Sequence, residues 1–151
     1  MSSYVPALLR KLVMDRSEGL CEYCLIHEQD TFLGCQIEHI ISEKHGGLTS
    51  EDNLASACVF CNRAKGSDIA TLAPRTGNLC KLFNPRSDSW AEHFQLVGTR
   101  IEGQTDTGDA TVMLLGFNEP DRIMERELLI ATAHYPSSTA LKIMKKKAKK
   151  D

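Results

Sequence analysis

Long apolar runs are missing from this 151-residue sequence, and so is any sign of export. No stretch approaches the roughly 20 consecutive apolar residues that a transmembrane helix needs. The first five residues provide no basic flank ahead of an apolar run, which a signal peptide would have. These absences predict an intracellular, cytoplasmic protein whose cysteines stay reduced.

A surplus of positive charge is also missing. The formal net charge is −2, although residues 141–151 contain six lysines and only one aspartate, so that residues 1–140 are acidic overall. A protein that grips DNA over a broad surface needs a basic one, because phosphate contacts supply most of the non-specific affinity. Two interpretations of the lysine-rich tail stay open: a flexible arm that attracts DNA, or a solvated end of the chain.

Aromatic residues are scarce, at 6% of the chain, and Trp90 is the single tryptophan. We expect Trp90 to anchor the core rather than to stack on a base. We also expect His93 to be structural, because it has no metal-ligand partner at a suitable spacing. The hydrophobic content of 42% and the charged content of 25% are ordinary for a globular protein, and the length predicts one domain.

Cysteine is plentiful by comparison. Four of the six cysteines form two Cys-x-x-Cys pairs, Cys21/Cys24 and Cys58/Cys61. Each pair brings two sulfurs toward one point from a tight turn, and four thiolates are a common ligand set for structural zinc. Two unrelated pairs of buried thiols, or disulfides, are the alternatives. Cys35 and Cys80 have no partner at a suitable spacing, and we expect them to be small buried side chains.

The segment between the two pairs is rich in polar groups. Glu38-His39 ends a β-branched run that predicts a strand, and neighbouring side chains on a strand point to opposite faces. Gly46-Gly47 predicts a loop. Asn53 to Cys58 predicts a returning strand, and a helix is expected to begin near Cys61. The predicted unit is therefore strand, loop, strand, helix.

These motifs resemble the HNH endonuclease family, in the zinc-stabilised, stand-alone bacterial form of its ββα-metal finger. The resemblance rests on Glu38-His39, Gly46-Gly47, Asn53-Leu54 and the closing segment 58–66, about a third of the chain. Segment 82–94 and the first residues resemble a bacterial subfamily more weakly. The resemblance implies an α+β fold: a finger on a four-cysteine zinc site, an N-terminal helix, and a C-terminal extension of a hairpin plus helices. We place the nuclease domain at 1–140, with its finger at 19–68, its extension at 69–140 and the tail at 141–151.

The resemblance also implies roles for single residues. His39 matches the general base that takes a proton from the attacking water. Glu38 and Asn62 match the two protein ligands of one catalytic ion, Mg²⁺ or Mn²⁺, and Asn53 matches the asparagine that braces the loop. The expected substrate is double-stranded DNA, with RNA left open, and the expected products carry a 3′-hydroxyl and a 5′-phosphate. Many members have Asp where this chain has Glu38.

The chemistry of these residue types agrees with that implication. Hydrolysis of an anionic phosphodiester needs its charge neutralised by a hard cation on oxygen ligands, and Mg²⁺ needs few protein ligands because it keeps several waters. A neutral histidine near pH 7 accepts the proton. His45, Arg63 and Lys65 lie beside the predicted site, and we expect them to contact substrate.

Structural roles are the alternatives for several of these residues. Glu38 would then be a surface carboxylate, Asn62 a helix N-cap, and Arg63 and Lys65 part of a solvated helix face. For the whole protein, the alternative is a zinc-stabilised module that binds nucleic acid or protein without catalysis.

The rest of the chain is predicted from periodicity and from breaker residues. Apolar spacing over 5–18 predicts a helix whose buried stripe includes Leu8 and Leu12. Residues 67–71 are expected to continue the central helix as far as a turn at 74–78. The extension is predicted to contain a hairpin over 91–97 and 99–105, a helix over 107–115, and a second helix that begins at Pro120 and is broken at Pro136.

Overall fold

Short helices and strands alternate along the chain in the computed structural model, which describes residues 4–146. The helices are α1 (Ala7–Ser17), α2 (Val59–Lys65), α3 (Trp90–His93), α4 (Asp106–Leu115), α5 (Pro120–Ala131) and α6 (Ser138–Lys145). The strands are β1 (Cys35–His39), β2 (Leu54–Cys58), β3 (Ala70–Leu72), β4 (Leu79–Lys81), β5 (Phe94–Val97) and β6 (Arg100–Gly103). They pair as three separate antiparallel hairpins, which confirms the predicted α+β class.

The hairpin of β1 and β2 is the centre of the molecule. Its register pairs Cys35 with Cys58 and His39 with Leu54. Every residue of β2 is buried, because α1 packs against the hairpin and α2 follows β2 without a linker. The order of strand, loop, strand and helix is therefore the predicted one.

Helix α1 covers the hairpin with a narrower stripe than its sequence predicted. Val5, Leu9 and Val13 pack with Leu54 and Ile37 in a small satellite core. Leu8, in contrast, is 84% exposed, and Leu12 is also exposed, so their prediction as buried residues is wrong. A two-stranded hairpin covers only one side of the helix, and the neighbouring row of apolar side chains stays in solvent.

The segment after α2 differs from its prediction. Residues 67–71 do not continue the helix, because Gly66 adopts a non-helical backbone with φ of 50° and the chain then enters β3. The predicted turn at 74–78 connects β3 to β4, whose cross-strand hydrogen bonds override the local helical preference. Sequence pattern alone gave no signal for strands this short.

The later extension is closer to its prediction. The predicted hairpin is present as β5 and β6, although residues 90–93 form the short helix α3 instead of a strand. Helix α4 is capped by Thr105, whose hydroxyl accepts a hydrogen bond from the Gly108 amide. Helix α5 begins at Pro120 as predicted, but it ends at Ala131, before Pro136.

The lysine-rich tail starts inside a helix. Ser137 caps α6, and the helix extends to Lys145, so residues 141–145 are helical. The remainder of the predicted tail, 147–151, lies outside the described residues. No helix within 4–146 has the length and apolar character needed to cross a membrane.

The extension is tied to the first cysteine turn by buried hydrogen bonds. The indole Nε1 of Trp90 donates to the Tyr23 carbonyl at 2.8 Å, and Tyr135 Oη donates to the Cys24 carbonyl at 2.8 Å. Trp90 is only 3% exposed, as expected for a core anchor. His93 bonds the Thr105 hydroxyl at 2.6 Å, which agrees with the predicted structural role. The main hydrophobic core is therefore shared by finger and extension.

Replacing Gly108 by alanine should test this packing. A Cβ at Gly108 would overlap the His93 carbonyl, so we expect Gly108→Ala to destabilise the fold by about 1–3 kcal/mol, as overpacking usually does. Urea unfolding would measure the change. Met113→Ala, at an exposed position of the same helix, is the control and should stay close to wild type. Equal unfolding midpoints for Gly108→Ala and the control would contradict the prediction.

Candidate functional site

Four cysteine sulfurs meet in the centre of the finger. Cys21 and Cys24 lie in a turn after α1, Cys58 ends β2, and Cys61 lies in the first turn of α2. All four are buried, and their Sγ atoms lie within 4.8 Å of one another. The Sγ atoms of Cys24 and Cys58 are 3.8 Å apart, which matches the edge of a tetrahedron whose zinc–sulfur bonds are about 2.3 Å long. The cluster can therefore bind one zinc ion.

The turn geometry explains how neighbouring cysteines converge. The Leu25 amide donates to the Cys21 carbonyl at 2.9 Å, and the Cys24 amide donates to the Cys21 sulfur at 3.5 Å. Leu25 adopts a φ of 65°, which turns the chain back so that the Cys21 amide bonds the Ile26 carbonyl. All six cysteines are free thiols, which excludes the disulfide alternative in this structure.

Cys35 and Cys80 take no part in the cluster. Both are half-buried rather than fully buried. Burial raises the pKa of the Cys35 thiol to about 12. The Cys80 sulfur donates to the carbonyls of Thr71 and Asp106.

His39 ends β1 with its ring held at one nitrogen. Its Nε2 lies 2.8 Å from the Thr49 hydroxyl, which in turn donates to Glu43 Oε1 at 3.2 Å. Since that hydroxyl proton is directed at Glu43, the hydroxyl oxygen accepts from a protonated Nε2. The Nδ1 atom of this tautomer then carries the lone pair that a general base requires.

Asn53 braces the loop between His39 and Thr49. Its Oδ1 accepts from the Ile41 amide at 2.9 Å, and its Nδ2 donates to the carbonyls of Ile41 and Leu48. Gly47 is required for this arrangement, because a Cβ there would overlap the Ile41 carbonyl. Asn53 thus fixes the loop that supplies Thr49 to the histidine.

Glu38 points to the opposite face of β1 and is buried. The Tyr23 hydroxyl donates to its Oε1, and Lys65 Nζ lies 3.4 Å from its Oε2. Burial raises the pKa of this carboxyl, while Lys65 and Tyr23 oppose the rise. The surface-carboxylate alternative for Glu38 is therefore wrong.

This geometry can be set against known proteins. Residues 21–68 match the HNH endonuclease family. The matched HNH region is about a third of the chain and includes the four cysteines, Glu38, His39, Asn53 and Asn62. The resemblance seen in the sequence is thereby confirmed, and it supports a nuclease-type function that acts on nucleic acid.

A curated relative gives a weaker likeness over more of the chain. It is the Septu protein PtuB of Bacillus thuringiensis, 24% identical over 126 residues. The alignment covers 82% of this chain and 46% of the relative, so the chain spans about half the length of the relative it matches. No solved structure matches the chain.

Lys65 of the HNH region does not face solvent, which corrects its prediction as a substrate contact. It is 2% exposed, and its ammonium group donates to the Ile40 carbonyl at 2.8 Å and contacts Glu38. The side chain is the internal counter-ion of Glu38, so it is not at the surface where a phosphate would bind. The solvated-face alternative is equally wrong for Lys65.

The other predicted contacts of the HNH region lie at or near its surface. Asn62 is inside α2 rather than at its N-cap, which is Cys58, and its Nδ2 donates to Gln36 Oε1 at 2.7 Å. His45 and Arg63 are exposed. Asn62 bonds Gln36 on the same face of β1 from which Glu38 contacts Lys65, since alternate strand residues share a face.

A cation from the extension touches the cysteine cluster. Arg122 of α5 places Nη2 3.3 Å from the Cys61 sulfur and 3.8 Å from that of Cys58. Its Nη1 donates to the Leu115 carbonyl at 2.9 Å. Burial opposes the charge on Arg122, but the neighbouring cysteine sulfurs raise its pKa above the ordinary value. Four thiolates on one zinc leave a net charge of −2, and Arg122 offsets part of it.

Sequence reasoning missed Tyr23, Thr49 and Arg122. Tyr23 lies between the first two cysteines, and Thr49 lies between two motifs, but neither position has a spacing rule attached to it. Arg122 is 61 residues from Cys61, so only the tertiary fold brings its side chain to the sulfurs. Buried polar residues of this kind make their contacts through tertiary packing, which sequence periodicity does not predict.

We expect Arg122→Met to hasten zinc loss. The substitution removes both the N–H···S bonds and the compensating charge, and outer-shell changes of this kind cost about 10–100-fold in metal affinity. Release to a colorimetric chelator, followed after zinc loading, measures the effect.

Arg126→Met is the matched control. Arg126 lies one turn further along α5 and is equally buried, but its guanidinium donates to the Thr99 and Phe117 carbonyls instead of to sulfur. Both variants lose stability, but only Arg122→Met should release zinc faster at a temperature where both are folded. Equal release rates would show that Arg122 does not act on the metal.

Proposed function

We propose that this protein is an HNH-type endonuclease that hydrolyses DNA phosphodiester bonds with one divalent ion, using His39 as general base. The observation that carries the proposal is the His39–Thr49–Glu43 arrangement inside the matched HNH region. It holds the ring by Nε2 and leaves Nδ1 to accept a proton from water, which is worth roughly 10²–10⁴ in rate. A histidine kept only for packing has no need of this relay.

Glu38 and Asn62 are the proposed ligands of the catalytic ion, Mg²⁺ or Mn²⁺. A carboxylate and an amide oxygen are hard donors of the kind that Mg²⁺ prefers, so the chemistry of the pair fits. The ion would neutralise charge on the phosphodiester oxygens. Glu38 must exchange its contact with Lys65 to serve in this way, because that ammonium lies 3.4 Å from Oε2.

The four cysteines have a structural part in this proposal. A zinc ion with four protein thiolates has no open coordination position for a substrate, which separates it from catalysis. The exposed side chains of His45 and Arg63 flank the hairpin and α2, and we propose that they contact double-stranded DNA. An intracellular location follows from reduced, metal-binding cysteines.

His39→Ala should abolish metal-dependent cleavage of supercoiled plasmid. Wild type is expected to nick or cut the plasmid with Mg²⁺ or Mn²⁺ and to stop when the ion is withheld, because the proton acceptor and the cation are both required. The topology of the plasmid on a gel is the measurement. Zinc content and circular dichroism establish that each variant is folded.

His134→Ala controls for loss of any histidine, since His134 is exposed and its ring lies 2.9 Å from the Thr132 hydroxyl, away from the proposed site. Thr49→Val keeps the shape of the loop but removes the oxygen that fixes the ring, so its rate should lie between those of wild type and His39→Ala. Cleavage by His39→Ala at the wild-type rate would contradict the role of His39 as general base. A zinc-loaded wild type that cleaves neither plasmid nor RNA would contradict the proposed nuclease function.

One observation favours a second candidate, a zinc-stabilised binding module without catalysis. Glu38 is buried and already paired with Lys65, as in a purely structural ion pair. Breaking a buried pair from one side leaves an uncompensated charge and costs about 3–5 kcal/mol. The two candidates therefore differ in whether a divalent ion can replace the ammonium at Glu38.

Lys65→Met should distinguish them by thermal unfolding with and without Mg²⁺. In a nuclease, the freed Glu38 binds the ion, and millimolar Mg²⁺ raises the Tm of Lys65→Met more than that of wild type. The double variant Glu38→Gln/Lys65→Met lacks the carboxylate charge and should not respond. The binding module predicts no Mg²⁺ effect in any of the three proteins.

A further inference from the structure

A large cavity lies away from the predicted catalytic residues, where the extension meets the finger. Its volume is about 640 Å³. The end of α1, the first cysteine turn, the loop before α3 and one face of α6 form its walls. Cavities of this size accommodate small organic ligands.

The cavity wall carries four cationic side chains, Arg16, Arg86, Lys142 and Lys146. Arg16 also donates to the Glu51 and Leu54 carbonyls at 2.9 and 2.8 Å, which fixes its guanidinium. Three acidic side chains, Glu18, Glu22 and Asp88, share the wall, and the last two are already engaged. Glu22 pairs with Arg86 and accepts from the Ser56 amide, and Asp88 pairs with Lys81 and accepts from the Asn84 amide. Within residues 4–146, neither lysine of this wall forms an ion pair. The wall thus has positive charge to offer, in a chain that is acidic overall.

Arg86 is held in place with part of its guanidinium unused. Asn84 Oδ1 accepts from the Arg86 amide at 2.8 Å, which fixes the loop, and Glu22 binds Nη2. The buried Nε atom of Arg86 has no hydrogen-bond partner within the described residues. Burial, and then repulsion from Arg16, lower the pKa of Arg86 to about 10. An anion between the two guanidinium groups would relieve the repulsion between them.

Apolar side chains form the rest of the wall. Leu25, Phe83 and Trp90 lie beneath the cationic groups. A cation cluster beside an apolar surface suits a ligand with a phosphate at one end and an uncharged ring at the other. The volume fits a nucleotide unit rather than a duplex.

We propose that this cavity binds the phosphate group of a nucleotide, held by Arg86 and Arg16 from one side and by Lys142 and Lys146 of α6 from the other. The phosphate can belong to a strand of nucleic acid or to a free mononucleotide. Binding of a nucleic-acid strand rests on the proposed nuclease function, because the cavity would then be a second binding site for the substrate. The mononucleotide source does not depend on it.

The test measures binding directly, without cleavage. The full-length, zinc-loaded protein is titrated in buffer without added divalent ions. The probes are inorganic phosphate, adenosine 5′-monophosphate and a short single-stranded oligonucleotide. Trp90 fluorescence reports occupancy, because the only tryptophan lines the cavity, and equilibrium dialysis gives the affinity independently.

Lys142→Glu and Lys145→Glu form the matched pair. Both residues are exposed on α6 and both substitutions change the net charge equally, but only Lys142 lines the cavity. We expect Lys142→Glu to weaken binding about tenfold or more, since a charge-assisted contact becomes a repulsion, and Lys145→Glu to stay within about twofold of wild type.

The pattern of probes identifies the source of the phosphate. Saturable binding of phosphate or the mononucleotide that Lys142→Glu weakens supports a free nucleotide. Binding of the oligonucleotide alone supports a strand in this cavity when Lys142→Glu weakens it and Lys145→Glu does not. Absence of saturable binding for all three probes overturns the proposal. Equal weakening in the two variants also overturns it, because it would reduce the effect to general charge. The assay measures binding and not cleavage. A protein that binds these probes but does not cleave nucleic acid would therefore contradict the nuclease proposal and leave the cavity proposal supported.

Discussion

The structure depends on the convergence of four buried sulfurs from two distant segments. The first pair lies in a turn that only a left-handed residue such as Leu25 closes, and the second pair joins β2 to α2. The same sulfurs belong to the main hydrophobic core, where they pack together with aliphatic side chains of the finger such as Leu20, Leu25 and Ile40. A zinc ion in such a site contributes folding free energy directly.

The extension completes this centre instead of standing apart from it. Tyr135 and Trp90 bond the backbone of the first cysteine turn, and Arg122 contacts the sulfurs of the second pair. Arg122 also lies 5.7 Å from the ring centroids of Phe60 and Phe117, which shields its contact from water. The cysteine cluster therefore depends on the extension, because Arg122 of α5 supplies one of its hydrogen-bonding neighbours.

The two faces of β1 divide the chemistry of the finger. One face directs His39 toward the braced loop, where its Nε2 contacts the Thr49 hydroxyl. The other buries Glu38 with Lys65 and Tyr23, which stabilises the packing of α2 but commits the carboxylate. Taking both charges of such a pair out of water has a cost that their mutual attraction must offset. A divalent ion at Glu38, as proposed above, would compete with this packing.

The sequence by itself determined the local chemistry of this protein. The Cys-x-x-Cys pairs identified the four cysteines that meet in one cluster, Gly47 and Asn53 marked the braced loop, and strand alternation put Glu38 and His39 on opposite faces. These features depend on spacing within a few residues, which a sequence states directly. Tertiary structure alone decided that Lys65 turns inward, that Leu8 stays in solvent, and that Arg122 reaches the sulfurs. Each of these outcomes depends on which distant element covers the side chain. The local sequence around a lysine, a leucine or an arginine does not specify that element.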